Sequence, residues 1–246
     1  MNILRDVVME LKVDVLHITK THDSAATLST PTDTWRCHPS MRGVKSQGAA
    51  TFLRPEVVEA QSDTNVTLVQ VQWEKETLWV ITAYFLNELP STIATTRAVD
   101  AMLWKKHGAR VILVGDFNSM ETLDKSSTGG LLDATKHRTE RAACVQQLLD
   151  KWRLKDSWLL PHNPHRNRER DNLSHLTHWN HDRTRSVRID RVYLNFDIPG
   201  MSLEVQTLHH PGLDHKGTST ESGGTLALQR KTPSKRSRTE HLISRR

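Results

Sequence analysis

The chain has 246 residues, 36% of them hydrophobic and 25% charged, with a mean hydropathy of −0.56, which fits one large domain or two small ones at the polar end of the globular range. No apolar run approaches the ~20 residues of a membrane helix, and Arg5, Asp6, Glu10 and Lys12 interrupt the first apolar residues, so neither a membrane span nor a signal peptide is expected. Two cysteines, Cys37 and Cys144, are too few for a disulfide framework, and an intracellular, non-secreted, reducing setting is expected.

In chain order, Leu4, Val7, Val8 and Leu11 repeat at helical spacing and predict a helix over Ile3–Lys12. Val13–Thr19 reads as a buried strand, 20–47 as a long polar loop, and Gly48–Leu53 as a short strand. Asn65–Trp73 and Thr77–Phe85 read as a hairpin joined through Glu74-Lys75-Glu76. Ser91–His107 is a predicted helix with Ser91 as cap and Gly108 as stop. Arg110–Val114 is an apolar strand, 119–137 a loop, Arg138–Trp152 a helix and 161–185 a polar loop rich in His and Arg. Ser186–Leu194 and Ser202–Leu208 are predicted strands, and from Lys231 the composition predicts disorder. Seven basic side chains and one acid fall within 230–246, so the whole net charge of +6 sits in that stretch. Two units follow: a domain over 1–229 and a basic tail over 230–246. The tail suits nucleic acid, an anionic surface or nuclear import, or it merely solubilises. Strands in adjacent pairs between helices give an α/β chain that is not a purely parallel sheet. No Gly-rich loop follows a strand, so a nucleotide cofactor is not expected.

Four features carry chemistry. Val111–Asn118 (VILVGDFN) is an apolar strand that delivers Asp116 and Asn118 to a sheet edge. A carboxylate and an amide there can take a proton from water and hydrogen-bond a phosphate oxygen. Alone, the motif reads first as an Asp–Asn turn capping a strand. Asp214 beside His215 can orient the ring and raise its pKa, though His181-Asp182 is another such pair among 14 histidines. Asp190 lies inside an otherwise apolar strand and needs partners, most simply as a structural Asp holding a neighbouring loop. Tyr84 ends a strand, either as a core aromatic with its hydroxyl at the rim or as a site hydroxyl. His162, His165, His175, His178 and His181 complete no recognisable zinc set. Arg183, Arg185 and Arg188, in a net-positive stretch, are candidate phosphate-backbone contacts or simply a solvated loop.

Taken together and in order, Val13–His22 (VDVLHITKTH), Gly48–Leu53 (GAATFL), Ala83–Asn87 (AYFLN), Gly115–Asn118 (GDFN), Leu154–Trp158 (LKDSW), Thr177–Trp179 (THW), Arg188–Asp190 (RID) and Asp214-His215 resemble the endonuclease/exonuclease/phosphatase superfamily. The likeness is nearest to the apurinic-endonuclease-like domains of LINE-type retrotransposons and runs over about residues 3–216. The resemblance implies a four-layer sandwich, two packed mixed sheets flanked by helices, with a site at one end of the sheets. It implies a phosphodiester hydrolase using Mg²⁺ or Mn²⁺, most like a DNA endonuclease, with DNA as partner. By the same likeness Asp116 activates water, and Asn118 and Tyr84 hold phosphate or assist the leaving group. His215 contacts the scissile phosphate or acts as acid/base, Asp214 lies near the metal or His215, and Asp190 and Thr177 support.

Two departures bear on activity. Lys20 stands where the family strand carries its metal-ligating glutamate, and an ammonium there repels a cation. The family's opening strand, which bears a site asparagine, is not matched ahead of the first helix. An inner strand is therefore expected to be missing, with unpaired backbone on its neighbours, as in a fragment or a decayed copy. A non-catalytic nucleic-acid-binding remnant is the alternative to an active nuclease.

Overall fold

The computed structural model describes residues 13–21, 36–40, 48–53, 57–73, 76–118, 127–128, 136–161, 163, 176–179, 186–196, 202–208, 217–223 and 241–245. In chain order the elements are β1 (Val13–Thr21), β2 (Arg36–Pro39), β3 (Gly48–Leu53), β4 (Val57–Ser62), β5 (Val66–Trp73) and β6 (Glu76–Tyr84). Then come α1 (Leu89–Trp104), β7 (Arg110–Asp116), β8 (Ser127–Thr128), α2 (Lys136–Trp152), β9 (Lys155–Asp156) and a 3₁₀ turn over Ser157–Leu159. The remainder is β10 (His178–Trp179), β11 (Ser186–Val187), β12 (Asp190–Leu194), β13 (Ser202–Leu208), β14 (Gly217–Gly223) and β15 (His241–Arg245).

Two six-stranded sheets run in the orders β4-β5-β6-β7-β12-β9 and β13-β14-β15-β1-β3-β2, with a small β10-β11-β8 sheet beside them. Both large sheets are mixed: β6 and β7 are parallel in one, β14 and β15 in the other, and the remaining pairs are antiparallel. The two-residue period of a strand sorts the first sheet into two faces. Val66, Leu68, Trp79, Ile81, Val111, Leu113 and Tyr193 pack under α1 and α2 with Val99, Leu103, Val145, Leu148 and Leu149. Val69, Val71, Leu78, Val80, Ile112, Val114, Val192 and Leu194 form the other face. Each fully buried aliphatic side chain contributes about 1.5–3 kcal/mol. The second face meets the β1 sheet. There the Thr51 hydroxyl lies 2.8 Å from that of Thr67 and 2.7 Å from that of Thr82, and the His17 ring bonds Thr82, all wholly buried. The expected α/β sandwich of two packed mixed sheets with flanking helices is the observed fold. The predicted Ile3–Lys12 helix lies outside the described residues.

Several boundaries differ for physical reasons. The first described helix begins at Leu89, with Glu88 as N-cap rather than Ser91, because Pro90 fits the first turn, where no backbone donor is needed. The expected 20–47 loop contains β2, and the 119–137 and 161–185 loops contain β8 and β10. These short pairings form only against β3 and β11, so no local period announces them. The predicted strand Ser186–Leu194 is split at Arg188 and Ile189. The amides of Ile189 and Asp190 both donate to the Thr177 hydroxyl, at 3.1 Å, instead of to a strand neighbour.

The β1 sheet corrects two expectations. The expected gap beside β1 is not an open edge: β1 is paired on both sides, to β3 and to β15. And 241–245, assigned by composition to a disordered tail, form β15 between β14 and β1. Leu242 and Ile243 sit opposite Leu16 and Val15 in that register. Two apolar, strand-favouring residues in a basic context are a weak signal alone and a usable one beside an unpaired strand.

Candidate functional site

β6 and β7 are parallel with Tyr84 opposite Asp116, and β12 runs antiparallel to β7 with Asp190 opposite Asp116. Register therefore sets Tyr84, Asp116 and Asp190 in one row across three neighbouring strands. All three follow the parity of Val80, Val114 and Val192, so they stand at the strand ends on the side that faces the other sheet. Asp116 is wholly buried and Tyr84 and Asp190 are each 3% exposed. Burial, then the charges of Asp116 and Asp190, push the Tyr84 hydroxyl far above its ordinary range, and a bond with the Asn118 amide draws it partly back. Tyr84 is thus held as a neutral O–H donor at any physiological pH.

The turn after β7 is fixed by its own side chains. The Asn118 amide N–H donates to Asp116 Oδ1 at 3.0 Å, and Asn118 Nδ2 donates to the Phe85 carbonyl at 2.8 Å. Asn118 has φ of 45°, the left-handed region that Asn tolerates better than most residues. Phe85 N–H donates to the Asp116 carbonyl at 2.9 Å, Phe117 N–H to the Ile189 carbonyl at 2.8 Å, and the Phe85 and Phe117 rings stack at 4.8 Å. Gly115 is required for this closeness: a Cβ there would lie 1.8 Å from the Ala83 carbonyl oxygen. The Asp–Asn turn and the chemical reading are thus one object, a capped strand end that also presents a carboxylate and an amide.

Thr177 is buried, and its hydroxyl anchors the amides of Ile189 and Asp190. That places it one residue from the row, as a support for Asp190. Arg188 is not a surface cation. It is 3% exposed, and its guanidinium grips Asp156 at 2.7 and 3.0 Å, while Arg191 reaches the same carboxylate at 3.4 Å. A buried guanidinium needs such a partner, so Arg188 is bound inward rather than offered to a phosphate backbone. Asp156 itself had drawn no role from the sequence, though it lies in the LKDSW piece. Arg141 was also missed: it is buried on α2 and donates from Nη1 to Asn87 Oδ1 at 2.9 Å, behind the segment that follows Tyr84. An arginine at the spacing of a helix's apolar side was the available signal.

Lys20 lies on β1 where the pairing with β3 slips between Thr19 and Thr21. Asp214, His215, Arg183 and Arg185 lie outside the described residues. Among the described residues no three His, Cys, Asp or Glu side chains come together to hold a metal ion. Asp116 and Asp190 with the Asn118 amide fall short of the oxygen set a hard divalent cation takes, so the described residues alone do not fit Mg²⁺ or Mn²⁺. No described helix is long and apolar enough to cross a membrane.

No family model matches the chain, and no curated protein matches it in sequence. In structure it is similar to the catalytic domain of Xenopus laevis APE2, with 17% identity, TM-score 0.66, and 87% of this chain and 84% of that one covered. It is similar also to the endonuclease domain of TRAS1, a telomere-specific non-LTR retrotransposon, with 14% identity, TM-score 0.56, and 87% of each chain covered.

Proposed function

We propose that this chain, which has the endonuclease/exonuclease/phosphatase fold, is a nuclease-type phosphodiester hydrolase whose substrate is DNA. The observation that carries the reading is the in-register row of Tyr84, Asp116 and Asp190, closed by Asn118. In the proposed reaction a water oxygen bonds to phosphorus and the phosphorus–oxygen bond to the leaving sugar breaks. The water's proton goes to the Asp116 carboxylate. The neutral Tyr84 hydroxyl donates to a phosphate oxygen as charge builds there. Asn118 positions Asp116 through its backbone amide, and Asp190, fixed by Thr177, keeps the row in place. The resemblance adds His215, with Asp214 beside it, as the group that contacts the phosphate or protonates the leaving oxygen. It also adds a Mg²⁺ or Mn²⁺ requirement and a retrotransposon-type endonuclease as one model. The basic stretch 230–246 suits a nuclear setting.

Lys20 favours a second reading, a non-catalytic nucleic-acid-binding descendant, because a cation replaces the expected ligand carboxylate. Supercoiled-plasmid nicking in Mg²⁺ and in Mn²⁺ separates the two. Nicking by the chain as it stands, lost in Asp116→Ala, supports the hydrolase with Lys20 tolerated. Nicking only after Lys20→Glu, and lost again on adding Asp116→Ala, supports an intact scaffold that has lost activity. No nicking by any folded variant overturns the hydrolase reading.

A further inference from the structure

At the opposite end of the Tyr84 sheet, the last turn of α1 leaves Trp104 58% exposed. This indole is braced. The His107 ring meets it edge-on at 5.5 Å and stacks in turn on Trp152 at 5.3 Å. The Lys151 ammonium lies 5.0 Å from the Trp104 ring centre. Asp100 ties the group together, accepting from Lys151 Nζ at 2.7 Å and from Trp152 Nε1 at 2.9 Å. Two turns follow the helices that carry Trp104 and Trp152. The first, 105–110, carries Lys105, Lys106 and Arg110, and the second, 150–155, carries Lys151, Arg153 and Lys155 with one acid, Asp150, while the Asp100 carboxylate is taken up by Lys151 and Trp152. Lys105, Lys151, Arg153 and Lys155 are exposed. Lys106 is already engaged by Glu59 and the Trp79 ring. Pairing registers put both turns at the end of the sheet where β7 starts, with Leu78 opposite Arg110 and Leu194 opposite both Ile112 and Lys155. β7 spans seven residues from Arg110 to Asp116, so this patch stands about 20 Å from the candidate site.

An exposed aromatic costs free energy in water, and bracing it removes the entropy a floppy side chain would lose on contact. A flat ring held rigid among cations fits a ligand that is both flat and anionic. We propose that this patch binds single-stranded nucleic acid, one base stacking on Trp104 and the flanking phosphates meeting Lys105 and Arg153. An acidic peptide would use the cations and leave the indole face without a matching ring. A duplex keeps its bases stacked on each other and also leaves it empty. The inference stands apart from the hydrolase reading, since it uses none of that site's residues.

The test is fluorescence anisotropy of the full chain with a labelled 20-nucleotide oligothymidine, in parallel with a duplex of the same length and with polyglutamate. Trp104→Ala, Trp104→Phe and Lys105→Ala/Arg153→Ala are compared with the parent at two salt concentrations. Their melting temperatures serve as the check that exposed-site changes leave the fold intact. The expected result is an affinity loss of about ten-fold for the single strand in Trp104→Ala, the scale of one lost stack. Trp104→Phe retains most of the affinity, and duplex binding is unchanged. The double variant weakens binding and flattens its salt dependence. Unchanged single-strand affinity in Trp104→Ala overturns the proposal. So does an equal loss for duplex, polyglutamate binding that depends on Trp104 as strongly, or no oligothymidine binding by the parent. The duplex arm reads the nuclease site and the Trp104-dependent single-strand arm reads the patch, which keeps failure here separate from failure of the nuclease reading.

Discussion

In the β4-β5-β6-β7-β12-β9 sheet, strand register alone lines up Tyr84, Asp116 and Asp190, and each is backed by named bonds. In the other large sheet, β1 carries Lys20 at a slip in its pairing with β3, and one neighbour of β1 comes from 241–245, far along the chain. The first sheet's site is built from strands that neighbour one another in the sheet and cross-brace one another. The second sheet's contribution lies on one strand, with β3 as its near partner and β15 as a partner more than two hundred residues away. The proposed chemistry therefore draws on both sheets, with the Asp116 row on one and Lys20, at the proposed ligand position, on the other, and the difference can be probed from either side.

The largest effect is expected from the Lys20 side. Lys20→Glu should raise Mg²⁺-dependent plasmid nicking on the order of 100-fold, the scale of several kcal/mol of charge stabilisation, and Asp116→Ala in the same chain should remove the gain. On the Asp116 side, Gly115→Ala should destabilise by about 4 kcal/mol or more, because the new methyl meets backbone at 1.8 Å and the β6–β7 pair must part. Urea unfolding would read this as a lowered midpoint. Asp156→Ala strips a buried carboxylate from both Arg188 and Arg191 and should cost about 3–5 kcal/mol by the same measurement. Thr51→Val tests the seam between the sheets. It removes a hydroxyl within bonding distance of those of Thr67 and Thr82 and should cost about 1–3 kcal/mol.

The smallest effect belongs to the rim. The bond from Lys106 lowers the Glu59 carboxyl pKa below its ordinary value, against the opposing effect of burial and with help from a Gln61 bond. A folded pKa below the unfolded one adds stability at neutral pH that is lost as pH falls through the folded value. Glu59→Gln should therefore be less stable than the parent by under about 1 kcal/mol at pH 7, the pair being solvent-screened. That gap should close in an acid titration of the unfolding midpoint. A gap that persists at low pH would mean that Glu59 acts through packing.

How far this was legible in the letters depends on range. The strand before Asp116 is a short apolar run, the hairpin before Tyr84 alternates with a slip, and α2 carries a helical period, so their types are legible from the pattern of apolar residues. The site row was legible only as separate motifs. Which carboxylate faces which tyrosine is a matter of register between strands, and neither local propensity nor spacing encodes it. Arg188 shows the limit most plainly: three arginines in a polar stretch look alike in sequence, and only the approach of Asp156 from a different element turned this one inward.

By itself, the sequence determined the α/β class, the apolar strands and α2, and the candidate chemistry at Asp116 and Asn118, because each rests on residues within one turn or strand of one another. Only the tertiary structure decided the Tyr84–Asp116–Asp190 row, the inward fate of Arg188, the place of β15 beside β1 and the braced exposure of Trp104. Those depend on contacts between residues distant in the chain, where the free energy of pairing a strand edge or a buried charge outweighs what the local composition favours.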